Sequence, residues 1–170
     1  MVKIKAGDGG SGCLSFTREK YRRRGPAWGG DGGRGGDVII QTSESVHDLY
    51  GIRRSYTGVS GISGSGKSKD GANGKDVIIK VPVGTLVQQW NDATKTTSGV
   101  IADLDEPNQS FVIAKGGRGG RGNQSFTSST DRTPLIKEQG KPGQQKHVQL
   151  ELKIIADVGL VASNLFLFFF

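Results

Sequence analysis

The chain is poor in the residues that carry redox or metal chemistry. Its single cysteine, Cys13, cannot close an internal disulfide, which argues for a reducing compartment. It reads as a small packed hydrophobe rather than a reactive thiol. The two histidines, His47 and His147, are not spaced as metal ligands and are expected on polar surfaces. Only 5 prolines occur, and glycine never settles into one unbroken third-position pattern, which excludes a collagen triple helix. The one long apolar run, Leu165–Phe170, falls far short of the ~20 residues that span a bilayer. No secretory signal opens the chain; Met1-Val2-Lys3-Ile4-Lys5 runs straight into glycine. Helical periodicity is nearly absent, its one candidate being Glu44–Tyr50, with Val46, Leu49 and Tyr50 at helix-like spacing.

What is present in excess is glycine, 28 of 170 residues, about twice the usual share. Apolar residues make up 34%, enough for a modest core, and the length fits one domain or one domain plus a fragment. Strand signals are clear. Asp37–Gln41 and Asp76–Val81 are near-copies, each a β-branched run entered from glycine. Thr85–Gln89, Val100–Leu104 and Phe111–Lys115 read as further short strands. His147–Ile155 alternates, with Val148, Leu150, Leu152 and Ile154 on one face. Pro82 belongs at a strand edge or bulge, and Arg53–Thr57 is too polar for a buried strand. The sum is a mainly β unit of many short strands.

Within the clusters Gly7–Gly12, Gly25–Gly36, Gly51–Gly74 and Gly116–Gly122, glycine recurs every three residues. Gly30, Gly33 and Gly36, then Gly58, Gly61 and Gly64, then Gly116, Gly119 and Gly122 show it. Three is the period of the polyproline II helix, and glycine on one edge lets such backbones approach closely. Flexible linkers are the alternative, but a linker does not need strict spacing. Ordering so many glycines costs on the order of 10 kcal/mol against alanine, so the spacing points to packed polyproline II helices.

Two motif types are decoys. Gly61-Ile-Ser-Gly-Ser-Gly-Lys67-Ser68 fits the phosphate-loop pattern letter for letter. That chemistry requires a buried strand before the loop and a helix starting at the Lys. Two glycines, Gly71 and Gly74, would cost such a helix ~2 kcal/mol. Three G-x-G-x-x-G matches, opening at Gly7, Gly30 and Gly117, lack the strand-then-helix unit of a dinucleotide site and fall out of any G-G-x repeat.

The cations are more informative. With 23 Lys+Arg against 16 Asp+Glu the net charge is +7, which is compatible with a nucleic-acid partner. Lys20, Arg22, Arg23 and Arg24 crowd one connection, Lys67 and Lys69 a second, and Arg132 and Lys137 a third. Projecting from a rigid base, three such connections suit phosphate binding without base reading. Tyr21, Trp28 and Phe126 are the candidate stacking partners.

Several blocks of the chain resemble the N-terminal domain of Obg-family GTPases. They are Gly7–Phe16, Arg18–Tyr21, Gly29–Val38, Val81–Thr85, Ala114–Gly117, Arg132–Pro134, Pro142-Gly143 and Leu150–Leu160, in family order across residues 1–161. The resemblance implies the Obg fold, glycine-rich polyproline II helices packed on a small β-barrel, over residues 1–156. It also implies a module that binds ribosomal RNA and acts in large ribosomal subunit assembly. Carried over by position, the RNA-facing loops hold Lys20, Arg24, Lys67 and Arg132. Where many relatives carry further basic residues, this chain has Asn73 and Leu135.

The family continues after Asp157–Val161 into its true phosphate loop; here the chain becomes Ala162–Phe170. Residues 157–170 are therefore expected to be a truncated start of the GTPase domain with an aberrant apolar tail. No catalysis and no cofactor is expected in this chain, GTP and Mg being implied only for full-length members, and no metal site. The expected partners are the large ribosomal subunit and its RNA, with no membrane, for a monomer. The resemblance is to an organellar homologue, and the expected location is the mitochondrion, with plastid or bacterial cytoplasm as alternatives. The competing functions are a stand-alone nucleotide-binding protein using Gly61–Ser68 and a glycine-rich protein-interaction scaffold.

Overall fold

The computed structural model describes residues 1–18 and 25–153. Among these residues eight strands form two sheets. β1 (Val2–Lys5), β3 (Ser55–Thr57), β5 (Thr85–Asn91), β6 (Thr96–Leu104) and β8 (Gln145–Leu152) build a five-stranded sheet in the order β3-β1-β8-β5-β6. β2 (Val38–Thr42), β4 (Val77–Val81) and β7 (Ser110–Ala114) build a three-stranded sheet in the order β4-β2-β7. The protein is mainly β, as its composition and strand runs imply, but the two sheets stay open and do not close into a barrel.

Both sheets contribute to a single core. Ile4, Val87, Leu104 and Val148 come from the larger sheet, and Val38, Ile40, Val81 and Ile113 from the smaller. Their alternation along each strand turns one face inward, the period-2 consequence of the pleat. The near-copies read from the sequence become neighbours: β2 and β4 pair in parallel, Ile39 opposite Ile78 and Ile40 opposite Ile79.

Six strands continue directly into six glycine-rich segments, and the pairing goes with them. β1 and β8 are antiparallel, and beyond them Ala6, Gly9 and Gly12 donate to Gln144, Lys141 and Glu138 at 2.9–3.0 Å. β1 and β3 are parallel, and beyond them Gly58, Gly61 and Gly64 donate to Lys5, Asp8 and Ser11 at 2.7–2.9 Å. Every one of these ladders steps by three residues, the repeat of polyproline II.

The 29–37 segment lies at the centre and is satisfied on three sides. Gly30, Gly33 and Gly36 donate to Ser65, Ile62 and Val59. Gly32 and Gly35 donate to Gly120 and Gly117. Asp31, Arg34 and Asp37 donate their amides to Asp70, Asn73 and Asp76 side-chain oxygens at 2.7–2.8 Å. Polyproline II has no internal hydrogen bonds, so only such a bundle satisfies buried backbone here.

Glycine is what lets the segments come this close. A Cβ at Gly30, Gly33, Gly36, Gly61, Gly64, Gly116, Gly119 or Gly122 would fall nearer than 3.0 Å to a neighbouring backbone carbonyl. Positive φ is not the reason: among the described glycines only Gly84 and Gly99 adopt it. Gly84 turns the chain between β4 and β5, and Gly99 sits where the β5–β6 register slips.

The expected helix at Glu44–Tyr50 does not form. That stretch is a set of turns, with Ser43 Oγ against Ser45 Oγ at 2.8 Å and the Tyr50 amide on Asp48 Oδ1 at 3.1 Å. Short polar side chains that bond nearby backbone compete with the helix, and seven residues are too few to nucleate one unaided. The helical turn that does form is 3₁₀, at Asn123–Phe126. Pro82 immediately follows β4, where no ladder amide is required. Ser55–Thr57 is polar and mostly exposed, as an edge strand can be. The Ile154 end of the last strand run lies outside the described residues, as do residues 157–170.

Candidate nucleic-acid interface

The far end of the glycine bundle gathers the roots of three connections. Phe16 bridges Ala27, and Thr17 exchanges backbone bonds with Pro26 and Gly25 at 3.0 and 3.1 Å. That pairing leads into residues 19–24, so Lys20, Tyr21, Arg22, Arg23 and Arg24 lie outside the described residues. The Ser65–Lys69 turn closes on itself and is anchored by the Ser68 amide on the Trp28 carbonyl at 2.9 Å. In the third connection the Ala27 amide donates to the Arg132 carbonyl at 3.5 Å, while Asp131 is tied to Ser128 and Thr133.

One buried side chain joins these roots. Asn123 is fully buried. Its Oδ1 accepts the Gly29 amide at 2.9 Å and the Ser15 amide at 3.4 Å. Its Nδ2 donates to the Ser15 and Pro134 carbonyls at 2.9 and 3.4 Å. Asp31 Oδ1 supports the same end by accepting the Gly122 amide and the Ser125 hydroxyl, both at 2.7 Å. These contacts join residues 94 and 91 apart in the chain, so no local pattern marks either side chain.

Lys67, Lys69, Arg132 and Lys137 are exposed. The first three stand on connections rooted at Ala27 and Trp28, and Lys137 immediately precedes Glu138, which accepts the Gly12 amide at 3.0 Å. Among the described residues none of the four enters an ion pair. Some cations elsewhere are neutralised: Arg121 is bidentate to Glu138 at 2.9 and 3.1 Å, and Arg34 reaches Asp37 at 2.9 Å. The Arg121 hydrogen bond holds the Glu138 carboxyl below the usual range. Of the stacking candidates, Trp28 is half-exposed, whereas Arg121 already lies over the Phe126 ring at 4.7 Å. Asn73 caps the Arg34 amide and is thus part of the bundle, while Leu135 is exposed beside Ile136.

The residues of the phosphate-loop look-alike do not fit a nucleotide. Gly61 and Gly64 are packed on the Gly33 and Gly30 carbonyls. Lys67 and Ser68 occupy the left-handed region, with φ of 65° and 53°, and Ser65 bridges Lys69. A helix N-terminus is what would hold phosphate there, and the chain makes a tight turn instead. The G-x-G-x-x-G stretches lie in the extended bundle. Among the described residues no group of three His, Cys, Asp or Glu is placed to hold a metal. Cys13 is half-buried and His47 exposed, while His147 Nδ1 meets Asp92.

The model of the GTP1/OBG family matches residues 1–154. The chain belongs to this family. Among its relatives, GTPase Obg of Persephonella marina is 49% identical over 162 residues, covering 94% of this chain and 46% of the relative. GTPase Obg of Thermodesulfovibrio yellowstonii is 50% identical, with 94% and 47% covered. GTPase Obg of Anoxybacillus flavithermus is 49% identical, with 94% and 37% covered. This Obg-family chain thus spans less than half the length of these curated relatives. The relatives are bacterial, which overturns the expectation of a mitochondrial protein.

Proposed function

We propose that this chain is a ribosomal-RNA-binding module acting in assembly of the large ribosomal subunit. The observation that carries the reading is the bundle end, where Lys67, Lys69 and Arg132 are exposed without an acidic partner among the described residues. A backbone hydrogen-bonded on three sides makes a rigid pillar, and rigid presentation lowers the ordering cost of binding. Lys and Arg on such a support neutralise phosphates without reading bases. Lys20 and Arg24, carried over from the family's loops, complete the proposed contact set, with Arg22, Arg23, Lys69 and Lys137 adding charge around it. The proposal includes no catalysis by this chain, no bound GTP or Mg, no membrane, and action as a monomer.

The test is affinity for large-subunit particles at several salt concentrations. These four phosphate contacts alone contribute about −2.8 to −3.6 to the log–log slope, between single-strand and duplex behaviour. The Lys20→Ala, Arg24→Ala, Lys67→Ala, Arg132→Ala combination should flatten it. Unchanged affinity and slope in that variant would leave these loops as a solvated surface.

A further inference from the structure

The flank of the glycine bundle carries a second pattern of charge. In the 115–122 segment the exposed positions recur every three residues, and all three are cations: Lys115, Arg118 and Arg121. The adjoining antiparallel 138–144 segment places Gln144, Lys141 and Glu138 beside them, their backbone amides donating hydrogen bonds to the three carbonyls at 3.0, 2.8 and 2.9 Å. At one outer rung the cation meets a carboxylate; at the other only a backbone amide is taken by the facing side chain. Glu138 takes Arg121 in two bonds, and Gln144 Oε1 takes the Lys115 amide at 3.1 Å. At the middle rung a cation meets a cation.

Arg118 and Lys141 are both exposed, and neither enters an ion pair among the described residues. With Gly119, Glu138 and Gln139 they line a cleft of about 260 Å³. Their backbones are held side by side, since the Lys141 amide donates to the Arg118 carbonyl and Gly119 packs on the Gly32 carbonyl. The carboxylate lining the same cleft, Glu138, is already bonded to Arg121. Three cations, Arg118, Arg121 and Lys141, thus share one carboxylate, and an anion in the cleft would balance the remaining charge. At ~3.1 Å per residue the rung lies ~15 Å from Asn123, too far to belong to the turns at the bundle end.

We infer that Arg118 and Lys141 form a separate phosphate-binding subsite on the bundle flank, taking one backbone phosphate of a structured RNA whose other contacts are at the bundle end. This rests on the RNA-binding reading above. A planar guanidinium offers two parallel donors to phosphate oxygens while the ammonium adds a point charge, a pairing that recognises backbone rather than sequence.

The experiment uses the full chain and large-subunit particles across a salt series, with melting temperature as a folding control. The Arg118→Gln, Lys141→Gln double variant should keep the parent melting temperature or exceed it, and its slope should be shallower by about 0.7–0.9, one phosphate's worth. The charge-preserving swap Arg118→Lys, Lys141→Arg should restore the slope. If the double variant keeps the parent slope while Lys67→Ala, Arg132→Ala flattens it, the flank subsite is wrong and the bundle-end reading stands. If only the flank variant flattens it, the subsite stands and the bundle-end reading fails. If neither changes it, both fall.

Discussion

Asn123 Oδ1 accepts the Gly29 amide at 2.9 Å across 94 residues of sequence. The contact is buried, and the same side chain also binds Ser15 and Pro134. Replacing it leaves several buried backbone groups without partners, each costing about 1–3 kcal/mol. Asn123→Ala should therefore destabilise the chain by roughly 3 kcal/mol in urea unfolding. A loss below about 0.5 kcal/mol, the range of ordinary surface changes, would mean that the hub does not hold the bundle end together.

The bundle should reject side chains at its contact glycines and tolerate one elsewhere. Gly33→Val or Gly119→Val puts atoms where the Ala72 or Gly32 carbonyl lies, so either variant should unfold or aggregate. Gly51, with nothing within 4 Å of a built Cβ, should accept alanine with a change within ~0.5 kcal/mol. Parent-like melting of Gly33→Val would establish these segments as linkers.

Acid should weaken the bundle through Asp8. The Lys5 hydrogen bond, then the Gly143 amide, hold its carboxyl below the usual aspartate range. A depressed folded value means the stabilisation is complete above the unfolded value of about 3.9 and is lost as pH falls through the folded one. Asp8→Asn should flatten that part of the stability–pH curve below about pH 4. An unaltered curve in the variant would exclude Asp8 as a contributor.

Nucleotide binding should be absent from the look-alike loop. Lys67 has φ of 65° in a tight turn, with no helix amides to hold phosphate. Calorimetry with GTP and Mg should give no saturable heat. Saturable binding abolished by Lys67→Ala would overturn this.

The two kinds of periodicity in the chain were legible to different degrees. β2 and β4 stood out as β-branched runs, yet their parallel pairing follows from the 29–37 and 69–76 segments that lead into them side by side. Parallel neighbours need a long crossover, and here glycine segments supply it where helices commonly do. β1 alternates plainly as Val-Lys-Ile-Lys but is only four residues long, and β3 is three polar residues, so neither stood above its surroundings. The helix expected at Glu44–Tyr50 gave way because Ser43, Ser45 and Asp48 spend their side chains on local turns.

The sequence by itself determined that glycine repeats every three residues, where several β-branched strand runs lie, and that cations crowd a few connections. Those are local properties, set by which backbones a residue allows and which charges it carries. Tertiary structure alone decided which carbonyl lies where each Cβ would be, and that Asp70, Asn73 and Asp76 cap the amides of Asp31, Arg34 and Asp37. It also decided that Arg121 is neutralised by Glu138 while Arg118 pairs through its backbone with another cation, Lys141. The physical reason is that polyproline II makes no hydrogen bonds of its own. Each segment's stability resides in its neighbours, and which segments become neighbours is settled only when the two sheets align the strands that feed them.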